Sequence, residues 1–130
     1  MSRKIERLED LPSHGVRPLR GLDPEQLRAW SMAGGQRYVR VDFGAARDRA
    51  SVFGALGRAF ELPAWFGANL DALYDSLTDL APGPGYLVLL ERMPVGKDFG
   101  AEQRSALLDV FRDVVRYYAD TGVPFRVFYR

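Results

Sequence analysis

The sequence has no cysteine and only one histidine among its 130 residues. Without cysteine, a disulfide framework and a thiolate site for zinc or an iron–sulfur cluster are both excluded. The histidine, His14, lies beside Pro12 and Gly15, where we expect a solvated loop. A single histidine also leaves little material for a His-based metal site or a Ser-His-Asp triad. We therefore expect a protein that is not an enzyme and that binds no cofactor and no metal.

An excess of one charge and a long apolar run are also missing. The chain has 18 Lys and Arg against 17 Asp and Glu, for a net charge of +1. A general nucleic-acid binder normally shows a strong basic excess, so we expect no direct binding of nucleic acid. No apolar run approaches the roughly 20 residues needed to span a bilayer, and the charged N-terminus lacks the apolar core of a signal peptide. We expect a cytoplasmic protein that does not enter a membrane and is a monomer on its own.

Lys and Arg are absent from residues 59–91, a window of 33 residues. The charged residues of this window are all acidic: Glu61, Asp71, Asp75, Asp79 and Glu91. A helix is predicted over residues 69–80, and the i, i+4, i+8 spacing of its three aspartates places them along one line. The leucines at 70, 73, 77 and 80 form the opposite, buried stripe. Glu61 and Glu91 lie at the ends of the window, and we expect no special role for them.

The line of aspartates is unfavourable for an isolated helix, because each i, i+4 pair of like charges costs about 0.2–0.5 kcal/mol. One interpretation is a surface that awaits a cationic partner. The other is an ordinary solvated face whose acids pair with Arg or Lys from elsewhere in the fold. Trp65, Phe66 and Tyr74 flank the acids, and aromatic rings beside charges are typical of interface hot spots. Phe66 is the ring that fits the core best.

Strands and helices alternate along the rest of the chain, which predicts an α/β fold with a parallel sheet. Strands are predicted at residues 38–43, 86–90 and 125–129, and further helices at residues 48–60 and 102–120. Residues 1–35 differ from the rest and form an N-terminal extension, with an extended piece near residues 16–20 and a helix at residues 24–32. Residues 36–130 are then the main domain.

Residues 62–78 read LPAWFGANLDALYDSLT. This run closely resembles the signature of the barstar family, intracellular inhibitors of small basic ribonucleases. The resemblance covers residues 36–130. It implies a small three-stranded parallel sheet packed with helices, to which the N-terminal extension can add an edge strand and a short helix.

In such inhibitors the acidic helix and the loop before it block the ribonuclease active site, with carboxylates in the places of RNA phosphates. The resemblance makes Asp75 the central phosphate mimic and Asp71 its neighbour. The run VFRD at residues 110–113 matches a second family segment, which makes Asp113 a third acid. The residues that the resemblance assigns to partner binding are Trp65, Phe66, Gly67, Asn69, Asp71, Tyr74, Asp75, Asp113 and Tyr117.

The sequence also departs from that of the family's namesake. The ring types at Trp65 and Tyr74 are exchanged, and acids of the namesake are replaced at Ala68 and Tyr117. These departures leave a second hypothesis open. In it, the chain is a barstar-like scaffold or regulatory module that binds another basic protein without inhibiting a ribonuclease.

Overall fold

The chain folds into a four-stranded parallel sheet with helices on both faces. The computed structural model describes residues 5–63, 66–81 and 83–130. The strands are β1 (His14–Pro18), β2 (Arg37–Asp42), β3 (Tyr86–Glu91) and β4 (Phe125–Tyr129). The helices are α1 (Pro24–Ala33), α2 (Arg49–Ala59), α3 (Leu70–Thr78) and α4 (Ala101–Thr121), with a short 3-10 helix at Leu8–Asp10. The strand order across the sheet is β1-β4-β3-β2.

The sheet has four strands rather than three because the N-terminal extension contributes β1. This strand pairs in parallel with β4, from His14 opposite Phe125 to Pro18 opposite Tyr129. The expectation that His14 lies in a solvated loop was therefore wrong. His14 is half-buried in β1, and its Nε2 lies within hydrogen-bond distance of the Val123 carbonyl oxygen, at 2.7 Å.

The N-terminal extension also covers one face of the sheet. Leu8 and Leu27 pack there against the inward side chains of the central strands, Leu87, Leu89 and Phe128. Arg126 anchors this layer, because its Nε donates a hydrogen bond to the Pro12 carbonyl at 2.9 Å. Burial lowers the pKa of this guanidinium. The extension thus supplies both an edge strand of the sheet and the layer that covers one of its faces.

The larger core lies on the opposite face, under α2, α3 and α4. Leu73 and Leu77 of α3 are fully buried there, in the same cluster as Phe111 of α4. The Tyr118 hydroxyl of α4 donates a hydrogen bond to the Leu77 carbonyl at 2.6 Å, and burial raises the pKa of Tyr118 to about 12. Apolar packing and this hydrogen bond fasten α3 along α4. Leu70 is only half-buried, because it lines an open groove between the two helices.

Charged side chains meet at the carboxyl ends of the strands. Glu91 is buried at the end of β3, where its carboxylate accepts hydrogen bonds from Arg40 of β2 and from Arg130 after β4. Glu91 thus has a structural role in joining three neighbouring strands, and its lack of a role in partner binding stays a prediction. Next to it, hydrogen bonds from the Arg92 guanidinium and a backbone N–H lower the pKa of Asp42 to about 2.

Candidate functional site

A tight turn before α3 fixes where the acidic helix begins. The Asn69 side chain caps the helix, accepting a hydrogen bond from the Ala72 N–H at 2.8 Å and donating one to the Gly67 carbonyl at 3.1 Å. Ala68 adopts a left-handed conformation, with φ of +49°. A Cβ on Gly67 would lie 3.2 Å from the Cβ of Ala72, closer than most side chains tolerate. This turn therefore determines the direction in which the first turns of α3 present their carboxylates.

An open groove runs along the contact between α3 and α4, with a volume of about 630 Å³. Two predicted acids of α3 and one of α4 line it together with two tyrosines. Its lining residues are Leu70, Asp71, Tyr74, Asp75, Val110, Asp113, Arg116, Tyr117 and Asp120. Five of the nine predicted partner-binding residues thus share one surface, although two of the five come from a helix some forty residues further along the chain.

The aspartates on and directly after α3 lack an ion-pair partner in the described part of the chain. Among residues 5–63, 66–81 and 83–130, no Arg or Lys forms an ion pair within 4.0 Å of Asp71, Asp75 or Asp79. The interpretation of an ordinary helix face neutralised from elsewhere in the fold is therefore not supported. Asp79 is the C-cap of α3 and lies outside the groove.

Three described residues of the predicted site do not line the groove. Phe66 is half-buried against the main core, with its ring centroid 6.3 Å from that of Phe53. Gly67 and Asn69 are exposed and shape the turn described above. Trp65 lies outside the described residues. Contact of these four with a partner stays a prediction.

Four groove residues are absent from the predicted site: the apolar Leu70 and Val110 and the charged Arg116 and Asp120. The two charged ones matter most for binding. Both lie on the same face of α4 as Asp113, at i+3 and i+7. That spacing is visible in the sequence, but the sequence does not show that this part of α4 borders the same groove as α3. The Arg116 guanidinium lies 3.5 Å from the Asp113 carboxylate.

The groove suits recognition of a positively charged surface better than it suits catalysis. It carries four carboxylates and one guanidinium, and it is open to solvent. Within the part of the chain that the structure describes, no group of three or more acidic or histidine side chains could hold a metal ion. None of the helices described is long and apolar enough to cross a membrane.

A small parallel α/β domain with an acidic, tyrosine-lined groove between two helices suits the class of proteins that bind basic surfaces. Comparison with known families gives the particular one: the model for Barstar (barnase inhibitor) matches residues 36–130. The chain belongs to the Barstar family, whose members are inhibitors rather than enzymes and whose protein partner is a ribonuclease. A search of the curated proteins finds no match.

Proposed function

We propose that this protein inhibits a small basic ribonuclease by placing the groove between α3 and α4 over the enzyme's active site. One observation carries the proposal. In a member of the Barstar family, Asp71 and Asp75 line a groove together with Asp113, and neither aspartate of α3 forms an ion pair with a described Arg or Lys. Such carboxylates match the cations that a ribonuclease uses to hold RNA phosphates. Membership of the family supports a ribonuclease as the partner, and the geometry of the groove supports the choice of Asp71, Asp75 and Asp113 as binding residues.

The proposed mechanism is phosphate mimicry. The resemblance to the family makes Asp75 the central mimic. Asp71 lies one helical turn away on α3, and Asp113 of α4 borders the same groove. In the complex these carboxylates lose water and pair with the enzyme's Arg, Lys and His side chains. The resulting buried ion pairs contribute more to binding than ion pairs that stay exposed to solvent. Tyr74 and Tyr117 offer ring surface beside the charges, an arrangement that excludes water from the ion pairs.

The test is inhibition of a barnase-type ribonuclease by the wild type, Asp75→Ala and Asp79→Ala. Asp79 is the matched control, since it is an exposed aspartate of the same helix end that lies outside the groove. We expect Asp75→Ala to raise the inhibition constant at least about thirtyfold. This magnitude is taken from truncations of charged pairs at interfaces, the namesake complex of this family among them. Asp79→Ala should change the constant no more than about threefold.

Two outcomes would contradict the proposal in different ways. Tight inhibition that survives Asp75→Ala would refute the assigned site and leave the class of target intact. No inhibition by the wild type, together with binding to a basic protein that is not a nuclease, would favour the scaffold hypothesis. As a further check, association should slow as salt rises, because screening weakens the attraction between the acidic groove and a basic enzyme.

A further inference from the structure

Arg116 is a cation inside an otherwise acidic groove. The α4 helix presents Asp113, Arg116, Tyr117 and Asp120 on one face, and all four line the groove. Within the described part of the chain, Arg116 is the one Arg or Lys that does so. A surface that serves only to attract a basic protein gains nothing from a guanidinium at this place, because like charges across an interface oppose binding.

The contact between Arg116 and Asp113 is loose enough to be exchanged. Its N–O distance is 3.5 Å, and the two side chains are 77% and 57% exposed. Exposed ion pairs of this kind are weak, so a cation from a partner can replace Arg116 at low cost. Elsewhere in the groove, Asp71, Asp75 and Asp120 have no ion pair within 4.0 Å to a described Arg or Lys.

We propose that Arg116 is a specificity-determining residue that makes Asp113 a conditional member of the binding site. This inference rests on the proposed function, in which the groove receives a basic ribonuclease. In the free protein Arg116 partly neutralises Asp113, whereas Asp71 and Asp75 are open to any cation. Asp113 contributes fully only when the partner places its own guanidinium or ammonium there and Arg116 moves aside. Arg116 therefore weakens binding to basic proteins in general and favours those with a cation opposite α4.

The experiment compares dissociation constants for a barnase-type ribonuclease across a double-mutant cycle of Arg116→Ala and Asp113→Asn. Arg112→Ala is the control, because Arg112 lies on the same helix and loses the same charge. Its guanidinium pairs with Asp109 at 2.7 Å, and it does not line the groove. Far-UV circular dichroism verifies that these surface variants fold.

We expect Arg116→Ala to tighten binding about twofold to fivefold, the range that an exposed ion pair spans, and to do so more than Arg112→Ala does. Asp113→Asn should weaken binding more in the Arg116→Ala background than in the wild type, by a similar factor. Weaker binding by Arg116→Ala would overturn the inference, because Arg116 would then be a direct attractive contact. Equal tightening by Arg112→Ala would also overturn the inference, because the change in net charge alone would then explain the tighter binding.

The two proposals fail differently in this experiment. If the wild type binds the ribonuclease and the cycle shows no coupling between Arg116 and Asp113, the inference fails and the proposed function stands. If the wild type does not bind the ribonuclease at all, the proposed function fails and the inference fails with it.

Discussion

Neutralising the central aspartate of α3 should stabilise the free protein while it weakens binding. Asp75 is four residues from both Asp71 and Asp79, so it takes part in both like-charge pairs of the line. Each pair costs about 0.2–0.5 kcal/mol, and Asp75→Asn should therefore raise the free energy of unfolding by about 0.4–1 kcal/mol. Asp71→Asn should give little or no gain, because it relieves one pair but removes an acid from the favourable N-terminal turn.

The assay is urea unfolding at low and at high salt, followed by circular dichroism. The gain from Asp75→Asn should shrink at about 1 M salt, where exposed charges are screened within about 3 Å. Asp109→Asn is the control, because that acid already has a partner in Arg112 and its neutralisation should bring no gain. The reasoning is refuted if Asp75→Asn destabilises the protein, or if its gain is unchanged by salt.

Two further predictions concern the parts of the fold that hold the site in place. Leu27→Ala in α1 should lower the free energy of unfolding by about 2–5 kcal/mol, because Leu27 is fully buried. Met32→Ala, on the exposed side of α1, should change the free energy of unfolding by about 0.5 kcal/mol or less. Urea unfolding of both variants measures whether the N-terminal extension packs as part of the core. The hydrogen bond from Arg92 lowers the pKa of Asp42 to about 2, so the stabilisation that it contributes is present above about pH 4 and is lost as the pH falls towards 2. Asp42→Asn should make the loss of stability over this pH range less steep in pH-dependent unfolding, and an unchanged slope would contradict this assignment.

The helix that carries the acids could be predicted because its signals are local. Leucine spacing, the Asn69 cap and the aspartate spacing all lie within about ten residues, and the structure places α3 at Leu70–Thr78. Local signals do not show that Asp113 lines the same groove as Asp71 and Asp75. It depends on how α3 packs on α4, and only the resemblance to a family supplied it.

The roles of Glu91 and His14 could not be predicted, because they depend on the order of the strands. Glu91 ends a fully apolar strand, and the residues next to it in sequence do not indicate that Arg40 and Arg130 are its partners. These partners reach it because β3 lies between β2 and β4 in the sheet. In the same way, Gly15 and Pro12 around His14 indicated a loop, but pairing with β4 converts the segment into an edge strand.

Repulsion between the aspartates of α3 opposes helix formation, but burial and capping of the same helix outweigh this cost. The repulsion along the line of aspartates amounts to about 1 kcal/mol at most. Complete burial of Leu73 and Leu77 contributes about 1.5–3 kcal/mol each, and the Asn69 cap contributes about 1 kcal/mol more. Tertiary packing thus keeps α3 helical although its aspartates form no ion pair with a described Arg or Lys, so the helix needs no partner in order to fold. The unpaired carboxylates therefore remain available for a basic partner, and a conflict between local preference and fold of this kind is expected at a functional site.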